Sequence, residues 1–435
     1  MHPKRLIQSS SLLLLGTFLL FLTVAQGTAW AQYHDSLTSG NVLDPDQLSQ
    51  VDSVLQHYVD EGRVAGVVGL VMQDGEIVYE HAAGWADRES NRRMGTDAIF
   101  RIASQTKAIT SAAILMLVEE GKINLNDPIS RWMPTFVNST VAVQTDTGRA
   151  IVPANRPITI EHLLTHTSGI SYGGSSLVAD LYKAKGLGYG DTYGWYTADD
   201  EEPICETMDR LGTLPFVAQP GSDWVYGYNT DILGCVVERV SGLPLDQFFL
   251  QRISGPLGME DTHFFLPPEK EERLATVYTP TEGSNRVLRA PDGPRGQGNY
   301  VEGPRRSFAG GAGLLSTARD YARFLEMIRR GGALDGKRYL SPHTIALMTS
   351  NQVGDLFSDE GMGFGLGFET TDRLGANGFT SAGTFGWSGA YGTDYEVDPK
   401  EDLVTVLMIQ VVPYYGSGIR EAFESAVYQA LVPAE

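Results

Sequence analysis

Cysteine and lysine are the scarce residues in this chain. Its 435 residues hold two cysteines, Cys205 and Cys235, and no Cys/His spacing of a zinc site. The eight histidines are scattered and no H-E-x-x-H occurs, so no metal or other cofactor is expected. Two cysteines exclude a scaffold stapled by many disulfides; one disulfide and a pair of buried thiols both fit. Lysine supplies only eight of the 33 basic residues, against 53 acidic ones, and the net charge is −20. Such a surface repels phosphate backbones, which excludes nucleic acid as a partner. A lysine-poor acidic surface fits salt adaptation and plain solubility equally.

Long hydrophobic runs are missing too, except at the start. Lys4 and Arg5 precede residues 12–24, which are nearly all apolar, and Ala29 and Ala31 then flank Trp30. This pattern predicts a signal peptide over 1–31, cleaved after Ala31. Its apolar core is short for a span, which needs about 20 residues. The chain is therefore expected to be exported, periplasmic or extracellular, with no membrane association after cleavage. Polar residues 32–44 read as a flexible leader.

What remains has the composition of a packed protein, 42% hydrophobic and 20% charged. Helical spacing at 48–59 leads into β-branched residues 64–72, the turn pair Asp74 and Gly75, and a new strand from Ile77. Residues 100–121 read as one helix after a short loop, and 125–133 as a second, shorter helix. Residues 171–202 are rich in Gly, Tyr and Asp and read as a lid-like or substrate-facing loop. Helical patterns recur at 230–242, 317–331 and 417–432, and strand patterns at 363–369, 392–397 and 403–412. Strands thus cluster at both ends. The expected fold class is α/β (α+β): an antiparallel sheet flanked by terminal helices, built from 45–120 and 310–435, with a mostly helical domain inserted at 121–309.

Three short motifs carry chemistry. Ser104 and Lys107 lie three apart at the start of a helix, hence on one face. A serine hydroxyl needs a neighbour to take its proton, and a lysine in dry surroundings can do so. The helix start favours an oxyanion nearby. Tyr226, after Pro220 and Gly221, is a second candidate acid/base. Trp387-Ser388-Gly389-Ala390 precedes a strand, where an edge backbone N–H could meet an oxyanion and Gly389 could admit substrate closely. A competing G-x-S-x-G pattern around Ser171 lacks the strand–turn–helix context of a nucleophile elbow.

In this order the motifs resemble those of the serine β-lactamase and penicillin-binding-protein superfamily, and most closely the class C β-lactamase-like group with its family VIII carboxylesterases. LLTHTSG (163–169), QPGSDWVYGYNTDILG (219–234), PLGMEDTHF (256–264) and GGAGLLSTARDYARF (310–324) extend the resemblance over about residues 48–430. It implies Ser104 as acylated nucleophile, Lys107 as its proton acceptor and Tyr226 as the acid/base for leaving group and water. It further implies the N–H groups of Ser104 and Ala390 as oxyanion hole, with Trp387, Ser388, Gly389 and Asn229 lining the substrate site. Two departures matter: Trp387 stands where the β-lactamase motif has a lysine for the substrate carboxylate, and Asn229 follows Tyr226 by three residues instead of two. An aromatic in place of that charge favours neutral acyl or aryl esters. The expected activity is a carboxylesterase on a small-molecule ester substrate. The alternatives are a β-lactamase or D-Ala-D-Ala-type peptidase, an acyltransferase, and a non-enzymatic binding module.

Overall fold

The computed structural model describes residues 40–189, 193–358 and 360–434. The expected signal peptide and the leader up to residue 39 lie outside the described residues. The leader expected over 32–44 ends early, because Asn41–Leu43 pair antiparallel with Leu431–Pro433 and join the two ends. Main-chain pairing there outweighs the polar composition.

The main sheet draws on both ends of the chain. β1 (Gly66–Gln73), β2 (Glu76–Asp87) and β3 (Arg92–Arg93) come from one end. β4 (Met362–Phe364), β5 (Glu369–Thr371), β6 (Phe385–Ser388), β7 (Asp394–Asp398) and β8 (Leu403–Met408) come from the other. All pair antiparallel, in the spatial order β4-β5-β6-β7-β8-β1-β2-β3. The central strands β1 and β8 are buried at every position. Their runs of Val, Leu and Met lack alternation because both faces are covered.

On one face, Val67 and Val71 of β1 pack with Val51 and Leu55 of α1 (Gln50–Asp60) and with Phe423 and Val427 of the last helix. On the other, Val68 and Leu70 join the core shared by the remaining helices. These include α2 (Thr106–Glu119), α3 (Asn229–Ser241) and α4 (Ala318–Arg329), while the last helix, α5, spans Ile419–Gln429. Helix α2 is buried from Thr106 to Leu117, so it is apolar nearly all round rather than striped.

Three further expectations change. Residues 100–121 are not one helix: Phe100–Arg101 form a strand against Leu315–Ser316, Ala103–Gln105 form a tight turn, and the helix begins at Thr106. Strand pairing overrides the local helical pattern there, and Ala103 makes the corner at φ 41°, a region that costs a non-glycine residue energy. Residues 125–133 hold only the short turn Ile129–Arg131, set between Pro128 and Pro134. The middle segment, expected to be mostly helical, also holds a three-stranded sheet of Thr140–Thr145, Gly148–Pro153 and Pro215–Phe216. Segment 171–202 contributes Tyr172, Tyr182, Leu187 and Tyr196 to the core, which anchor that loop to the fold. The two cysteines, left open above, form a disulfide that ties the helix Ile204–Leu211 to α3.

The α5 side of the sheet carries an acidic cavity of its own. Glu369, Asp394 and Glu396 face it from the strands, and Arg420, Glu421 and Glu424 from α5. Burial pushes Glu369 and Asp394 up to about 7, and burial with repulsion from Glu424 and Asp394 holds Glu396 well above the usual carboxylate range. The folded chain therefore keeps protons that the unfolded chain releases near pH 4, and stability falls as pH rises from there through 7. The melting temperature is expected to drop between pH 5 and 8, with a shallower slope in Glu396→Gln. Equal slopes in the two proteins would contradict this account.

Candidate active site

The corner at Ala103 presents Ser104, half-buried, at the mouth of α2. One turn on, Lys107 is 2% exposed, and its ammonium has three acceptors: the Gly311 carbonyl at 2.7 Å, Tyr172 Oη at 3.1 Å and Ser104 Oγ at 3.4 Å. Its Nζ also lies 4.7 Å from the centre of the Tyr226 ring. Tyr226 Oη accepts a hydrogen bond from the Trp387 indole N–H at 3.1 Å. The structure thus brings Ser104, Lys107, Tyr226 and Trp387 together from three distant parts of the chain.

Two residues that sequence reasoning passed over complete the lysine's surroundings. Tyr172 belongs to the G-x-S-x-G stretch, and burial raises its phenol well above its ordinary pKa, so it stays protonated. Ser171 is 9% exposed and accepts from the Gly173 N–H, so that stretch delivers Tyr172 and not a nucleophile. Asp231, on α3, accepts the Gly311 N–H at 2.9 Å. Burial pushes Asp231 up to about 6, opposed by the Lys107 charge and the Gly311 amide. Gly311 therefore links Lys107 through its carbonyl to Asp231 through its amide. In the sequence, Asp231 and Gly311 lie in the stretches 219–234 and 310–324 without a spacing that marks either one.

Ser388 and Ala390 are half-exposed beside this centre, whereas Gly389 and Asn229 are buried. A Cβ on Gly389 would lie 2.5 Å from the Ile102 carbonyl and 2.2 Å from Thr393 Oγ1. Gly389 thus admits backbone, not substrate, and lets the turn carrying Ala390 dock against the segment carrying Ser104. Arg420 holds that turn through the Gly389, Gly392 and Thr393 carbonyls at 3.3, 3.2 and 3.0 Å. Strand β6 is an edge strand only in its second half: Phe385 and Gly386 pair with β5, while Trp387 and Ser388 pair only with β7.

Asn229 lines no substrate site. It is fully buried, accepts from Ser168 Oγ, and donates through Nδ2 to His166 Nδ1 at 2.8 Å and the Val225 carbonyl at 3.2 Å. Burial, and then the Lys107 charge, hold His166 well below its usual pKa, so it is the neutral acceptor this bond needs. Its ring packs 4.8 Å from that of Tyr226. Asn229 thus braces the wall behind Tyr226. Asn229→Ala leaves several buried polar groups unpaired, at about 1–3 kcal/mol each. Urea denaturation is expected to show a loss of about 2 kcal/mol or more. A loss below about 0.5 kcal/mol would remove the brace.

Comparison with known proteins agrees with this geometry. Residues 51–427 match the Beta-lactamase family model. Protein Rv1367c of Mycobacterium tuberculosis is 37% identical over 389 residues, covering 85% of this chain and 90% of that protein. Esterase EstB of Burkholderia gladioli is 34% identical over 399 residues, covering 87% and 95%. The solved structure of "EstCE1, a hydrolase with promiscuous acyltransferase activity" superposes with a TM-score of 0.74 at 28% identity, covering 88% of this chain and 99% of that one. With Ser104 beside a buried Lys107 on such a fold, this chain belongs to the beta-lactamase family and is a serine hydrolase.

Proposed function

We propose that the chain is an exported carboxylesterase that works through an acyl-enzyme on Ser104. The observation that carries this reading is the Trp387–Tyr226 contact. An indole fills the position where the β-lactamase pattern has a lysine, so no ammonium group is offered there to a substrate carboxylate. A charge-assisted hydrogen bond of that kind is worth about 1.5–3 kcal/mol. The similarity to EstB supports an ester substrate, and the disulfide supports an oxidising compartment.

The proton path follows from the contacts. When the Lys107 ammonium gives up one of its three protons, its two remaining N–H groups serve Gly311 and Tyr172, and its lone pair takes the Ser104 proton. Ser104 Oγ then attacks the ester carbonyl, and the N–H groups of Ser104 and Ala390 receive the oxyanion. Tyr226, accepting from Trp387, keeps its own O–H to give to the departing alkoxide. Water returns by the same route and releases the acid. If an alcohol replaces that water, the same steps transfer the acyl group. The activity named for EstCE1 makes acyl transfer the second reading.

Purified protein is expected to hydrolyse p-nitrophenyl butyrate, and Ser104→Ala to lower kcat by more than about a thousandfold. Nitrocefin turnover of comparable kcat/KM would replace the esterase reading with a β-lactamase. A second expectation concerns Asp231. Its carboxylate is charged above about 6 and neutral below, and only the charged form supports the lysine once it has taken the serine proton. The kcat/KM profile is expected to fall on the acid side near pH 6, and Asp231→Asn to lose that limb while keeping an acceptor for Gly311. An acid limb unchanged in Asp231→Asn would assign it to another group.

A further inference from the structure

Beside Tyr226 lies a group of aromatic rings of which the proton path uses only Trp387. Phe364 of β4 is its buried centre, 1% exposed. Its ring lies 5.4 Å from Trp224, 5.8 Å from Phe357 and 5.5 Å from Trp387. Those three outer rings are each half-exposed, as are Tyr226 and Ser104 next to them. Trp224 lies parallel to Tyr226, at 14° and 5.7 Å, and edge-on to Phe357 at 4.8 Å. The rings come from opposite ends of the fold, Trp224 from the segment leading into α3 and Phe357, Phe364 and Trp387 from the sheet side. A wall of this kind is costly to leave half in water and suited to a flat apolar guest.

We propose that this wall is the alcohol-side subsite, and that it selects esters whose alcohol part is a neutral, flat aromatic group. The inference rests on the acyl-enzyme reading above. Its direction follows from Tyr226: the group that protonates the leaving oxygen is itself part of the wall, joined to Trp387 by a hydrogen bond and to Trp224 by stacking. The leaving alcohol is released toward these rings, while the carbonyl oxygen is held on the Ala390 side. The wall rings carry no charge and present electron-rich faces, so a neutral guest fits and an anionic one does not.

The reverse step follows by microscopic reversibility. An aromatic alcohol bound on the wall gives its proton to Tyr226 as its oxygen attacks the acyl-enzyme carbonyl. The bond from that carbonyl to Ser104 Oγ breaks, and Oγ recovers a proton from Lys107. A new aromatic ester and free enzyme result, and no other reactant is needed. The wall therefore favours aromatic alcohols over water and over saturated alcohols as acyl acceptors.

Benzyl acetate and cyclohexylmethyl acetate test this, because they share an acyl group and nearly the same leaving-group basicity and differ in the flatness of one ring. The wild-type kcat/KM is expected to favour the benzyl ester about fivefold. In Trp224→Leu and Phe357→Leu that ratio is expected to fall toward one. Acetyl transfer from vinyl acetate to benzyl alcohol is likewise expected to exceed transfer to cyclohexylmethanol in the wild type only. Equal kcat/KM for the two acetates, with both activities lost in Ser104→Ala, would overturn the wall and leave the esterase reading standing. If no ester is turned over, the esterase reading fails, and binding decides the wall separately. Indole fluorescence of Ser104→Ala is expected to show tighter binding of benzyl alcohol than of cyclohexylmethanol, and Trp224→Leu to abolish the difference. Equal binding of the two alcohols to Ser104→Ala would overturn the wall by itself.

Discussion

A lysine ammonium enclosed by protein is expensive unless every donor is met, and much of this molecule is arranged around meeting those of Lys107. The Gly311 carbonyl, the Tyr172 phenol and the Ser104 hydroxyl come from three separate segments. Each must be in place before the charge is tolerable. Gly311 is fixed in turn by Asp231, and Thr110 on the next turn of α2 donates to the Gly310 carbonyl at 2.7 Å. The run 310–313 is thereby pinned to both α2 and α3. Burial, and then the same charge, keep His166 neutral, which lets it accept from Asn229 behind Tyr226. One buried lysine thus ties together helix placement, the surroundings of a histidine and the seat of Ser104.

The fold was legible where burial leaves a direct mark on composition. Strands β1 and β8 read as apolar runs because both faces are covered, and Asp74 with Gly75 marks their hairpin neighbour through backbone conformations at φ 55° and 85°. Residues 100–105 were misread because partners more than two hundred positions away decide their conformation. The sheet inside the middle segment was missed for a related reason: Pro215–Phe216 is too short to announce itself and exists only by pairing with Thr140 and Val141.

The site was legible in its polar motifs and opaque in its supports. Ser104, Lys107 and Tyr226 stand out because their spacing and order are unusual together. Tyr172 was hidden among 19 tyrosines, and Asp231 looked like an ordinary acidic residue in the first turn of a helix. Gly389 and Asn229 were recognised as special but given the wrong partner. Both look toward protein, one toward the Ile102 carbonyl and the other toward His166. Spacing marks a residue as constrained without saying which surface constrains it.

Arg420 gives the architecture an order in time. It sits in the first turn of α5, the last helix of the chain, and its guanidinium clasps the turn that holds Ala390. Ser104 and Lys107 are translated more than three hundred residues earlier. A growing chain therefore carries Ser104 and Lys107 before it has the residue that clasps that turn. The seat of Ala390 beside Ser104 is thus secured by a residue that follows the pair in the chain and reaches back to it only through the fold.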